Sequence, residues 1–102
     1  MPTWSDPEIV ALRAVLASVA PQPGAPVPTW PERRLGIDAL GGMTPVSESC
    51  KVEPLTLGGV AAEKLTPQGA DPTRTIFYLH GGGYCIGGCA SHRNMVARMA
   101  TA

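Results

Sequence analysis

Apolar residues recur along this chain in two rhythms, and the change from one to the other divides it. Near the start, Ile9, Leu12, Leu16 and Val19 fall at helical spacing, with Val15 beside them. Ser5-Asp6-Pro7-Glu8 precedes them with the chemistry of a helix start. Ser5 can cap, Glu8 stands three residues on, and Pro7 fits a first turn whose N–H needs no partner. The helix should stop before Pro21. Its polar face is not basic, so the apolar face is expected to pack into a core rather than onto a membrane. Pro21 to Pro28 holds four prolines and reads as a stiff connector. Thr29-Trp30-Pro31-Glu32 then repeats the start signal, and Trp30, Leu35, Ile37 and Leu40 supply an apolar side for a second helix, ended by Gly41-Gly42. Arg33 and Arg34 read as a solvated face.

From Ser47 the rhythm becomes alternation. Cys50, Val52, Leu55 and Leu57 mark a strand in which Pro54 implies an edge position or a bulge. Gly58-Gly59 is a hairpin turn signal, and Val60 to Thr66 returns as the second strand. Pro67 to Pro72 is a loop. Thr75-Ile76-Phe77-Tyr78-Leu79 is a β-branched and aromatic run suited to a third strand covered on both faces. His80 and three glycines interrupt it. Ser91 is positioned to cap a last helix with Met95, Val96 and Met99 on its apolar side. The predicted order is helix, helix, strand, strand, strand, glycine loop, helix.

Composition narrows the function classes. A chain of 102 residues has room for one small domain. The formal net charge is zero, from 8 Lys+Arg against 8 Asp+Glu, which leaves no electrostatic footprint for nucleic acid or an anionic membrane. No apolar run approaches the roughly 20 residues of a membrane span, and Asp6 and Glu8 stand where a signal peptide would be basic. The 3 cysteines, Cys50, Cys85 and Cys89, are an odd number and imply no disulfide framework, which favours a reduced, cytoplasmic setting.

The chemistry concentrates at His80-Gly81-Gly82-Gly83-Tyr84. Glycine backbone can adopt conformations closed to other residues and can approach a ligand closely. Three glycines just past a buried strand make a loop whose N–H groups can converge on one point, which is the local requirement for an oxyanion hole. This stretch resembles the HGGG loop of the α/β-hydrolases, in particular the hormone-sensitive-lipase-like esterases. The following Tyr84-Cys85-Ile86-Gly87-Gly88 and Ser91-His92-Arg93 fit the same pattern. The resemblance covers nearly the whole chain. It implies an α/β fold: the N-terminal part of an α/β-hydrolase with an incomplete sheet. Residues 1–42 would be cap helices, and 43–102 the start of the core, with its hairpin, third strand, oxyanion loop and helix. It further implies that Gly82 and Gly83 present the oxyanion-hole amides, that Gly81 permits the turn, that His80 braces the loop, and that Tyr84 lines the acyl side of a substrate pocket. The activity implied is cofactor-independent hydrolysis of short- to medium-chain carboxylic esters, with a small-molecule ester as substrate.

The sequence departs from the family in one respect. The family places its nucleophile in a G-x-S-x-G elbow after the oxyanion loop, followed by an acid and a histidine. No G-x-S-x-G occurs here, and Ser91 in Cys89-Ala90-Ser91-His92-Arg93 lacks both glycines. The chain is therefore expected to be one part of a hydrolase of about 300 residues, inactive alone, with a C-terminal remainder as partner. Other chemistries fit less well. A dinucleotide fingerprint begun at Gly81 meets Ile86 where its last glycine belongs, and a P-loop begun at Gly82 meets Gly88-Cys89 in place of Lys-Ser/Thr. His80, Cys85, Cys89 and His92 offer zinc-type ligands, so a small zinc-binding module is one alternative, though their spacing is not a common finger pattern. A noncatalytic subunit pairing with a separate C-terminal half is another. Cys85 and Cys89 are expected to be buried and inert rather than nucleophilic.

Overall fold

A computed structural model describes residues 3–102. Five elements follow one another: α1 (Pro7–Val19), α2 (Trp30–Gly42), β1 (Cys50–Leu57), β2 (Val60–Pro67) and α3 (Cys89–Thr101). α1 begins after Asp6, in extended backbone, rather than after Ser5. The Asp6 carboxylate faces backwards and accepts from the Thr3 N–H at 2.6 Å and from the Thr3 hydroxyl at 3.0 Å. α2 begins as its sequence predicts. The Glu32 carboxylate accepts from both the N–H and the hydroxyl of Thr29 at 2.7 Å, while the reciprocal Glu32 N–H to Thr29 Oγ1 contact is long at 3.5 Å.

β1 and β2 form a two-stranded antiparallel hairpin. Gly58 and Gly59 turn it at φ +57° and +82°, both in the left-handed region that a two-residue type I′ turn requires. The register runs without interruption from Cys50 opposite Pro67 to Leu57 opposite Val60, and Pro54 stands opposite Glu63. The expected edge position for Pro54 is present, but no bulge is. With period two unbroken, Cys50 and Val52 point to one face and Leu55 and Leu57 to the other. The hairpin thus presents apolar residues on both sides.

α3 packs against α2 and β2. A Cβ built on Gly41 of α2 would collide with the Ser91 carbonyl of α3, so the helices cross with backbone nearly touching backbone. Glycine at this position sets how close they come. On the other side, Arg93 of α3 grips Glu63 of β2 through two nitrogens, with Nε to Oε2 at 2.8 Å. Asn94 Nδ2 donates to the Pro45 carbonyl at 2.8 Å and ties α3 to the segment entering β1.

Two expectations are corrected here. Residues Thr75 to Leu79 do not form a third strand: they are irregular and pair with no other strand. A strand exists only through its ladder, and the hairpin does not reach this segment. The second correction concerns α1, whose apolar face packs into no core: Leu12 and Leu16 are 54% and 48% exposed. Burial is slight throughout: among the described residues the buried hydrophobic ones are Cys50 and Ala97, still 8% and 5% exposed. The radius of gyration is 16.3 Å, where a compact chain of this length has about 13 Å. Accessible surface totals 8419 Å², where a folded monomer of this size shows about 5,500 Å².

Candidate active site

The unpaired run of Thr75 to Leu79 delivers the chain to His80-Gly81-Gly82-Gly83-Tyr84, which curls into a tight bend before α3. Three consecutive residues have positive φ: Gly82 at +139°, Gly83 at +60° and Tyr84 at +60°. A Cβ on Gly82 would strike the Ile86 carbonyl, so glycine is required there by contact as well as by φ.

Two hydrogen bonds fix the peptide planes that matter. His80 Nδ1 lies 2.9 Å from the Gly81 carbonyl oxygen. A carbonyl only accepts, so Nδ1 carries the proton and donates. The Gly82 carbonyl accepts from the N–H groups of both Cys85 and Ile86 at 3.1 Å. In a trans peptide the N–H points opposite to the C=O of the same plane. Holding the Gly81 carbonyl therefore aims the Gly82 N–H the other way, and holding the Gly82 carbonyl does the same for the Gly83 N–H. Among the described residues neither amide has a hydrogen-bond partner. Both glycines line a depression of about 540 Å³ whose wall also includes Arg34, His80 and Tyr84.

The loop is backed by α3. A Cβ on Gly87, which has φ +94°, would come within 2.7 Å of the Gly81 carbonyl, 3.0 Å of His80 Nδ1 and 3.3 Å of His92 Cε1. Gly87 thus sits under the His80–Gly81 hydrogen bond, with the His80 and His92 ring centroids 5.3 Å apart. Ser91 Oγ is 2.9 Å from His92 Nδ1 and accepts from the Gly88 N–H at 2.9 Å. The cap expected at Ser91 is displaced by three residues. Extended Gly88 occupies the N-cap position, and Ser91, in the third helical position, reaches back to it. Gly88 has no side chain, so only this half of a capping box exists.

Of the predicted site residues, the structure brings His80, Gly81, Gly82, Gly83 and Tyr84 to one depression. The Tyr84 side chain is wholly exposed, so within this chain it encloses nothing. The zinc ligand set does not assemble: among the described residues no three His, Cys, Asp or Glu side chains converge to hold a metal ion. Cys85 and Cys89 are half-buried free thiols rather than core residues. Arg34 is exposed, as its sequence implies, and its Nε also donates to the Cys85 carbonyl at 2.8 Å and joins α2 to the loop. Local sequence carries no signal for a contact spanning 51 residues.

No protein-family model matches the chain. An esterase of Acinetobacter venetianus is 31% identical over 65 residues, 64% of this chain and 21% of that protein. The crystal structure of EstE5 with PMSF superposes with a TM-score of 0.81 at 35% identity, over 95% of this chain and 32% of that one. An esterase of the bacterial hormone-sensitive lipase family superposes with a TM-score of 0.82 at 29% identity, over 99% of this chain and 32% of that one. The helices and hairpin match part of an α/β-hydrolase fold. In sequence and in architecture the chain corresponds to a portion of the hormone-sensitive-lipase-family esterases, spanning about a third of the solved members it matches.

Proposed function

We propose that this chain supplies the oxyanion hole of a serine carboxylesterase acting on short- to medium-chain esters without a cofactor. The observation that carries the reading is the pair of amides at Gly82 and Gly83, aimed by their held carbonyls and unpaired among the described residues. When a serine oxygen bonds to the ester carbon, the carbonyl π electrons move to oxygen. The resulting oxyanion needs donors already in place. Gly82 and Gly83 N–H would meet it, and each such donor contributes roughly 3 kcal/mol to transition-state stabilisation. Collapse of the intermediate then expels the alcohol and leaves an acyl-serine, which water hydrolyses. His80 acts on the loop's shape and takes no proton from the nucleophile.

The serine, its base and the orienting acid would come from polypeptide outside this sequence, which contains no G-x-S-x-G. The large exposed surface supports such a completing partner. Ile76, Phe77 and Leu79 are 60%, 74% and 77% exposed, as a central strand would be without its neighbours. The odd number of cysteines fits a reducing, cytoplasmic setting.

The test uses p-nitrophenyl butyrate, with which EstE5 crystals have been soaked. The purified chain is expected to show no serine-inhibitor-sensitive turnover. A chimera in which it replaces the matching third of EstE5 is expected to hydrolyse the ester. Serine-inhibitor-sensitive turnover by the isolated chain, or a folded but inactive chimera, would contradict the proposal.

A further inference from the structure

We propose that Arg34 makes the depression beside the glycine loop selective for anions, so that the favoured esters carry a carboxylate or other anionic group near the scissile carbonyl. This rests on the oxyanion-hole reading of Gly82 and Gly83 and adds a substrate class to it.

Arg34 reaches the loop from α2 and is anchored by a single bond, Nε–H to the Cys85 carbonyl at 2.8 Å. Cys85 in turn donates its N–H to the Gly82 carbonyl at 3.1 Å, in the same peptide plane that aims the Gly83 amide. The guanidinium therefore stands two hydrogen bonds from the oxyanion donors and shares their depression. Because the guanidinium is rigid, the bond at Nε constrains where its two terminal nitrogens can lie. Its two terminal nitrogens have no hydrogen-bond or ion-pair partner among the described residues.

No Asp or Glu lines the depression, and Arg34 is the one Arg or Lys that does. Two other arginines of α2 and α3 are committed elsewhere. Arg33 donates to the Pro28 carbonyl at 3.1 Å and covers the Trp30 ring, and Arg93 is held by Glu63. An unopposed guanidinium with free N–H groups, beside two unpaired amides, matches a ligand with two negative centres. One centre is the oxyanion or carboxylate at the glycines, and the other is a carboxylate received by Arg34 in the geometry that arginine favours. The depression is open to water, so the expected gain is several-fold rather than many orders of magnitude.

The experiment titrates the isotope-labelled chain with butyrate and with succinate, reading the Gly82 and Gly83 amide resonances by NMR. Succinate should bind about three- to ten-fold more tightly than butyrate. Arg34→Gln, whose amide can still donate to the Cys85 carbonyl, should erase that preference. Arg34→Lys, which keeps the charge, should retain a preference for succinate. If both acids move the glycine amides but Arg34→Gln leaves their ratio unchanged, the Arg34 inference falls and the oxyanion reading stands. If neither acid moves those amides, both fall.

Discussion

The Nδ1–H of His80 donates to the carbonyl of Gly81, its own neighbour, and so decides where the Gly82 amide points. This is the kind of bond that the bracing role implied for His80 by the family resemblance would require. The same logic recurs one peptide on, where Cys85 and Ile86 hold the Gly82 carbonyl.

Gly82→Ala tests that arrangement directly. The added methyl collides with the Ile86 carbonyl, and φ of +139° disfavours any side chain. The backbone must move, so the bonds from Cys85 and Ile86 should break. Hydrogen exchange at those two amides should accelerate by tenfold or more, because each lost bond is worth about 1 kcal/mol and two are lost together. Unchanged exchange would show that the bend tolerates a side chain.

Gly41→Ala should part α2 from α3. A Cβ at Gly41 lies 2.5 Å from the Ser91 Cα, and backbone cannot swing aside as a flexible side chain can. Overpacking of this kind costs about 1–3 kcal/mol. Urea denaturation should show a lower midpoint, and the His92 ring signals should shift as α3 is displaced. A wild-type midpoint would mean that the helices do not meet there.

Acid should loosen the start of α2. Hydrogen bonds from the Thr29 side chain, and then from its backbone, hold the Glu32 carboxyl below its ordinary value of 4.5. A depressed folded pKa means that the contribution is present above the unfolded value. It is then lost as pH falls through the still lower folded value. The Thr29 amide resonance should therefore titrate below pH 4.5 in the wild type. It should be flat in Glu32→Gln, which caps without a charge. A wild-type Thr29 resonance that stays constant to pH 2 would contradict the capping geometry.

Phe77→Asp should reduce self-association. Ile76, Phe77 and Leu79 form an unpaired, exposed apolar run, the kind of edge that recruits other chains. Sedimentation velocity at micromolar concentration should show wild-type species larger than a monomer and a shift toward monomer in the variant. A wild type that stays monomeric at every concentration would mean that the run is covered in solution.

Sequence and structure agree where the determinants are local. Thr29 and Glu32 are three residues apart, and Gly58-Gly59 join strands that pair with each other, so both features are legible from short-range residue order. The glycine loop is legible for the same reason. Thr75 to Leu79 has the composition of a strand, but a ladder depends on partners that the hairpin does not provide. Ser91 is ambiguous in sequence because serine suits both an N-cap and a third position reaching back, and only the extended backbone of Gly88 separates the two. Gly41 stands at the end of α2 and Arg34 lies on the surface, as the sequence implies, but the crossing with α3 at Gly41 and the contact of Arg34 with the loop are not legible there. Both depend on tertiary contacts that no short window of sequence contains.

The central claim concerns two amide hydrogens, and a sulfonyl adduct can locate them. The decisive measurement is the crystal structure of the EstE5 chimera after reaction with PMSF, the reagent present in one EstE5 structure. A sulfonyl oxygen about 2.7–3.1 Å from both the Gly82 and Gly83 nitrogens is the predicted result. An adduct whose oxygens are held by other donors, with those two amides turned away, would contradict the account.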